Sequence, residues 1–167
     1  MADEYLIYED MLFEADALIK DNHISEAVHL LEDIISRAPD FGKAYNHLGF
    51  IYETKLKELE KAEKMYRQCI AYSPDYPAVY INLSIVLSSM GKFDEQKDLL
   101  EKSLHIAGVD KASIRNEMGI MYELQEDYNK AIENYKMAIK CTLLDNNLEI
   151  YKKSIERCRT KRDLMEL

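Results

Sequence analysis

Apolar side chains along this chain recur at steps of three and four residues, the period of a helix that buries one face. Met11, Ala15 and Leu18 are followed by Ala27, Leu31 and Ile34; farther on, Leu48 and Tyr52 are followed by Ala62, Tyr66 and Cys69. The pattern predicts nine helices, near residues 4–20, 25–37, 41–54, 58–72, 76–90, 93–106, 111–124, 128–141 and 146–164. Boundary residues agree with it. Ser25, Asp40, Asp75, Asp110, Asp127 and Asp145 are candidate N-caps, whose side-chain oxygens satisfy the first backbone N–H groups. Pro77 suits a first turn, Pro39 and Pro74 stop the helices before them, and Gly91 and Gly108 suit C-terminal positions.

The helices come in pairs, and the pairs repeat. Tyr45-x-x-Leu48-Gly49-x-x-Tyr52 is followed by Ala62-x-x-x-Tyr66 and then Pro74. Tyr80-x-x-Leu83-Ser84-x-x-Leu87 renews the first half 35 residues later, and Met118-Gly119-x-x-Tyr122 with Ala131-x-x-x-Tyr135 follows after another 35. Upstream, Met11, Ala15, Leu18, Ala27, Leu31, Ile34 and Pro39 keep the same offsets. This order resembles the signature of the tetratricopeptide repeat family, with tyrosine in place of its Trp and Phe and one extra residue in the turn of the second unit. The resemblance implies an all-α protein, a right-handed α-solenoid of four helix pairs plus a C-terminal capping helix. The repeats would lie at about 8–41, 42–76, 77–111 and 112–145, with the cap at 146–167, all within a single domain spanning 1–167.

Physical chemistry accounts for the residue types. Small residues on the first helices (Ala15, Gly49, Ser84, Gly119) and on the second (Ala27, Ala62, Ala131) let backbones approach. The tyrosines beside them fill the remaining space, each burying about 150 Å2 or more. Cys69 and Ala138 fall where a second helix meets the following unit. Departures are expected at Glu14, where Leu is usual; at Gln96, where Ala is usual and looser packing would follow; and at Arg115, where an aromatic is common. In the last segment Leu148, Tyr151, Ile155, Cys158 and Met165 form the stripe of a capping helix.

In this family the concave face, lined by the first helix of each unit, commonly holds an extended or helical peptide. The positions pointing away from the core are Leu12, Phe13 and Asp16; then Lys43, Asn46, His47 and Phe50; then Ile81, Asn82, Ile85 and Ser89; and finally Asn116, Glu117, Ile120 and Glu123. The partner-binding expectation centres on Asn46, His47, Phe50, Ile81, Asn82, Ile85, Asn116, Glu117 and Ile120, with Asn82 as backbone anchor. An amide both donates and accepts, while the apolar floor supplies burial. One branch of the family grips a C-terminal carboxylate with lysines, asparagines and an arginine. Here only Asn82 matches; Asn46, Phe50, Ser113 and Glu117 occupy the other positions, and Glu117 would repel a carboxylate.

Composition narrows the function further. The 167 residues are 47% apolar and 32% charged, enough for both a core and a solvated surface. With 22 basic against 31 acidic side chains the net charge is −9, which disfavours nucleic acid and anionic membranes as partners. Asn146 to Leu167 departs from this, with six basic and four acidic residues, as an exposed helix face or a docking site. Three cysteines without CxxC spacing fit a reducing compartment, and the acidic start and lack of long apolar runs point to a cytoplasmic protein. The four histidines show no ligand spacing, and no phosphate loop or nucleophile elbow occurs, so neither metal, cofactor nor catalysis is expected. The expectation is a non-catalytic scaffold that binds a protein or peptide, the alternative being a structural protein that forms a homodimer.

Overall fold

The computed structural model describes residues 2–165, with side chains from residue 5 onward. Among them all regular structure is helical: α1 (Ala2–Lys20), α2 (Ile24–Arg37), α3 (Gly42–Ile51) running into a π-helical turn (Tyr52–Leu56), α4 (Leu59–Tyr72), α5 (Ala78–Ser89), α6 (Phe93–Ser103), α7 (Lys111–Leu124), α8 (Tyr128–Cys141) and α9 (Asp145–Met165). Most expected boundaries hold to within one or two residues. α6 stops three residues early, at Ser103, and turns lead on to Gly108, which takes a left-handed φ of 77°.

Two compact units make up the chain, Met1–Val86 and Leu87–Leu167. In the first, α1 packs on α2, α2 on α3 and α3 on α4, around fully buried Ala15, Ala27, Leu31, Ile34, Ala44 and Ile51. In the second, α7 packs on α8 and α8 on α9, around Ala131, Tyr135 and Cys158. Ala138 meets Ala112 and Tyr151 there, so the small residue lies where the capping helix arrives. The stripe of α9 is buried through Tyr151, Ile155 and Cys158 but ends there, since Met165 is exposed.

Each unit holds the same lock between paired helices. A Cβ on Gly49 would lie 2.6 Å from two carbons of the Tyr66 ring, and one on Gly119 would lie 2.6 Å from Cε1 of Tyr135. Both rings are fully buried. Their hydroxyls donate to the next carboxylate along the first helix, Tyr66 to Glu53 at 2.6 Å and Tyr135 to Glu123 at 2.9 Å. Burial and the facing carboxylate both push the phenols up, so they keep the protons they donate. A second recurring bond runs from a first-helix tyrosine to the proline carbonyl six residues before it, Tyr45 to Pro39 at 2.9 Å and Tyr80 to Pro74. Gln96, fully buried, occupies a position where alanine is usual.

The turns inside the pairs repeat as well. Left-handed residues fall at Asn22, Lys57, Gly91 and Glu126. In three turns a backbone N–H returns to the carbonyl five residues back: His23 to Leu18, Lys92 to Leu87 and Asp127 to Tyr122. In the second repeat Glu58 returns to Tyr52, six residues back, and the π turn absorbs the additional residue. Lys57, exposed at φ 59°, carries a Cβ in a conformation that glycine adopts without cost. Replacing Lys57 by glycine is expected to stabilise the protein by about 0.5 kcal/mol, once the greater freedom of the unfolded glycine is offset. A urea midpoint that shifts upward would register the change.

The N-cap expectations divide. Asp110 accepts from the N–H of Ala112, and Asp127 from that of Lys130. Ser25 and Asp40 are not caps. α2 and α3 are preceded by His23 and Phe41, because the closing turn delivers the chain into helix one or two residues from those side chains. Asp40 instead accepts the hydroxyl of Tyr5 at 3.1 Å. Asp75 lies in the turn before Pro77, and Asp145 is already the first residue of α9.

Candidate partner-binding surface

In the first unit the outward faces of α1, α3 and α5 carry polar rungs. Lys43 pairs with Glu9. His47 lies with Nε2 3.0 Å from Oδ1 of Asp16 and Nδ1 2.8 Å from the carbonyl of Lys43. Asn82 donates from Nδ2 to Oδ1 of Asn46 at 3.0 Å. These contacts tie successive first helices together, so several of the expected groove side chains are already engaged. Leu12 is a correction: it is buried, in one cluster with Ala44 and Leu48, because α1 also packs on α3. Asn46, at the same repeat offset, is only 6% exposed and supports Asn82 rather than meeting solvent.

Apolar residues on these faces remain open. Phe13 is 77% exposed, Phe50 39% and Ile85 38%, with Ile81 half-buried. Phe50 borders a depression of about 370 Å3 whose other walls are Asp16, Ile19, Lys20 and Lys55. An aromatic flanked by two lysines and a carboxylate suits a segment with an apolar side chain and a charged or backbone group beside it.

The second unit places its candidates differently. Asn116 donates to the carboxylate of Glu117 at 3.5 Å, and burial raises the Glu117 carboxyl. Ile120 is half-buried against the Ala131–Tyr135 cluster. Glu123 is a second correction. Arg157 of α9 grips it with Nε and Nη2, each at 2.7 Å, and Lys161 adds a contact at 2.9 Å. With Tyr135 donating as well, the side chain is only 9% exposed and anchors the capping helix. Arg157 above all, against the opposing effect of burial, holds the Glu123 carboxyl down at about 2. Part of the basic surface of α9 is therefore spent inside the fold. A signal for this was present: glutamate follows the close-contact glycine by four residues in both Gly49–Glu53 and Gly119–Glu123.

Cys69 and Cys158 are buried, with burial the main cause pushing their thiols up to about 12 and about 11, while Cys141 is exposed. Among the described residues no three of His, Cys, Asp and Glu stand close enough together to hold a metal ion. No helix among them is long and apolar enough to cross a membrane.

Sequence profiles of the tetratricopeptide repeat match residues 42–76 and 78–107. The chain is a tetratricopeptide repeat protein. Such proteins in general mediate protein–protein interaction or scaffolding. This tetratricopeptide repeat protein is 25% identical over 119 residues to anaphase-promoting complex subunit 7 of Dictyostelium discoideum, an alignment that takes in 71% of the chain. It spans only 20% of that relative's length. Among solved structures it is similar to pilF of Pseudomonas aeruginosa, with a TM-score of 0.81 at 13% identity over 93% of this chain and 69% of that one. It is similar also to YrrB, described as a TPR protein with an unusual peptide-binding site, with a TM-score of 0.71 at 12% identity over 92% and 76% of the two chains. Likeness at that identity speaks for the fold, an α-solenoid of helix pairs, and for nothing finer.

Proposed function

We propose that this chain is a non-catalytic adaptor, one domain of four repeats and a cap, that binds an extended or helical segment of a protein partner on its first-helix faces. The observation that carries the reading is the exposure of Phe13, Phe50 and Ile85 in one unit, beside a depression rimmed by Lys20 and Lys55. Apolar side chains at helix positions that build no core are costly to leave in water, and a partner segment would cover them. Phe50 and Ile85 supply the burial, Ile81 the floor, and Asn82 an amide oxygen for a partner N–H. Asn46 and His47 hold that surface in place from beneath. Asn116, Glu117 and Ile120 are the corresponding contacts of the second unit. The peptide-binding description of YrrB lends support by analogy, and the buried thiols of Cys69 and Cys158 suit a reducing compartment such as the cytoplasm.

The test is selection of short peptides from a display library on the wild-type protein, followed by affinity measurement on the Phe50→Ala variant. Loss of one aromatic anchor is expected to weaken binding about 30-fold, with the thermal melt unchanged because Phe50 builds no core. Unchanged affinity would overturn the proposal. So would a library that yields no binder while sedimentation shows the apolar faces pairing two copies of this chain.

A further inference from the structure

The second and fourth repeats share a frame, and one place in it is filled in only one of them. In the second repeat the start of the first helix and the end of the second are closed by aromatics. Phe41 is buried there, and Tyr45 stacks on Tyr72 with ring centroids 5.4 Å apart. Aligned on the Gly49–Tyr66 and Gly119–Tyr135 locks, the fourth repeat has Lys111 for Phe41, Arg115 for Tyr45 and Cys141 for Tyr72. In place of the stack lies an open depression of about 500 Å3 within the second unit. It is lined by Leu104 and His105 after α6, Lys111 and Arg115 on α7, and Met137 and Lys140 on α8.

No carboxylate lines this depression, in a chain whose net charge is −9. The neighbouring acid, Asp110, is spent on the helix start: its oxygens take the N–H of Ala112 at 3.0 Å and the hydroxyl of Ser113 at 2.6 Å. Among the described residues Lys111 and Lys140 make no ion pair. Arg115 is held through Nη1 alone, 3.2 Å from Oδ1 of Asn134 and 3.6 Å from the sulfur of Met118. Its Nε and Nη2 donors have no protein acceptor among those residues. Three cations are thus gathered without counter-charge, next to the exposed side chain of Met137.

We propose that this depression is a second docking site, taking a short acidic segment of a protein partner. Carboxylates of the segment meet Lys111, Arg115 and Lys140, and an apolar side chain packs on Leu104 and Met137. The volume is that of a pocket for a few side chains. A nucleic acid fits less well, because a long polyanion would extend onto the acidic remainder of the surface and has nothing to set against Met137. Complementary charge then sets both the encounter rate and the choice of partner.

The experiment uses the full chain and a fluorescein-labelled peptide of eight residues alternating glutamate and leucine. The glutamine–leucine counterpart is the uncharged control, and a ten-nucleotide single strand of DNA is the competing anion. Saturable binding of the acidic peptide is expected, weakening as salt screens the contact. Lys111→Glu and Lys140→Glu are each expected to lower affinity about tenfold. Both lysines are exposed, so melts of the variants should match wild type. Lys64→Glu, on the exposed face of α4, should leave this affinity unchanged. Equal binding of the uncharged peptide, tighter binding of the DNA strand, an equal loss with Lys64→Glu, or no saturable binding would each overturn the proposal.

Discussion

Gly119→Val is expected to cost about 3 kcal/mol or more of stability, since overpacking a core is expensive when nothing can move aside. The first added carbon would sit 2.6 Å from the ring of Tyr135, and valine places two further carbons in the same gap. The ring cannot yield. It is fully buried, and its hydroxyl is fixed on Glu123. For a chain of this size such a loss corresponds to a fall in Tm of roughly 6–12 °C. Gly119→Ala divides two effects of opposite sign. Alanine gains about 1 kcal/mol of helix propensity over glycine, yet its Cβ meets the same ring, so a net loss is expected. In a Tyr135→Leu background the obstruction shrinks and Gly119→Ala should turn neutral or favourable. That coupling, read from a double-mutant cycle, ties the effect to this contact; strict additivity would refute it.

Glu123→Ala should loosen the capping helix at a cost of about 2 kcal/mol. Arg157 and Lys161 are roughly half exposed, so solvent screens their attraction and the ion pairs alone contribute little. Most of the cost comes from leaving the buried hydroxyl of Tyr135 without an acceptor. Hydrogen exchange should rise first in α9 from Tyr151 to Cys158, the stretch seated on α8. The pH dependence has a definite sign. The folded carboxyl titrates at about 2 against an ordinary value of 4.5. Its contribution is therefore complete above about pH 5 and is lost as pH falls from about 4.5 toward 2. Glu123→Gln lacks that contribution, so the gap between its urea midpoint and the wild-type value should close over this interval. A gap as wide at pH 2 as at pH 6 would show that Glu123 does not hold the cap by charge.

The sequence pattern carried the fold far because repetition multiplies weak signals. Gly49 beside Tyr66 and Gly119 beside Tyr135 were legible as close contacts, and the extra residue of the second turn was visible before its π turn was. Leu12 falls among the groove positions because its offset points away from the core of its own helix pair. The packing of α1 on α3 buries that offset, and the same geometry turns Asn46 inward. By sequence Glu123 is a groove carboxylate, because nothing in the pattern of one helix names the helix that covers it. Ser25 and Asp40 looked like caps by residue type, but the closing turn decides where the next helix begins. The cationic depression is not legible in the sequence for another reason. By itself Arg115 is only a departure from an aromatic consensus, and its meaning depends on Cys141 replacing the other half of the stack.

The surface formed by the first helices is tested most directly by titrating nitrogen-15-labelled protein with a selected peptide and following the amide resonances. Binding there predicts the largest changes at Phe13, Phe50, Asn82 and Ile85, with Glu32 on α2 and Lys64 on α4 silent. Changes concentrated on α2 and α4, with Phe50 and Asn82 unmoved, would contradict it.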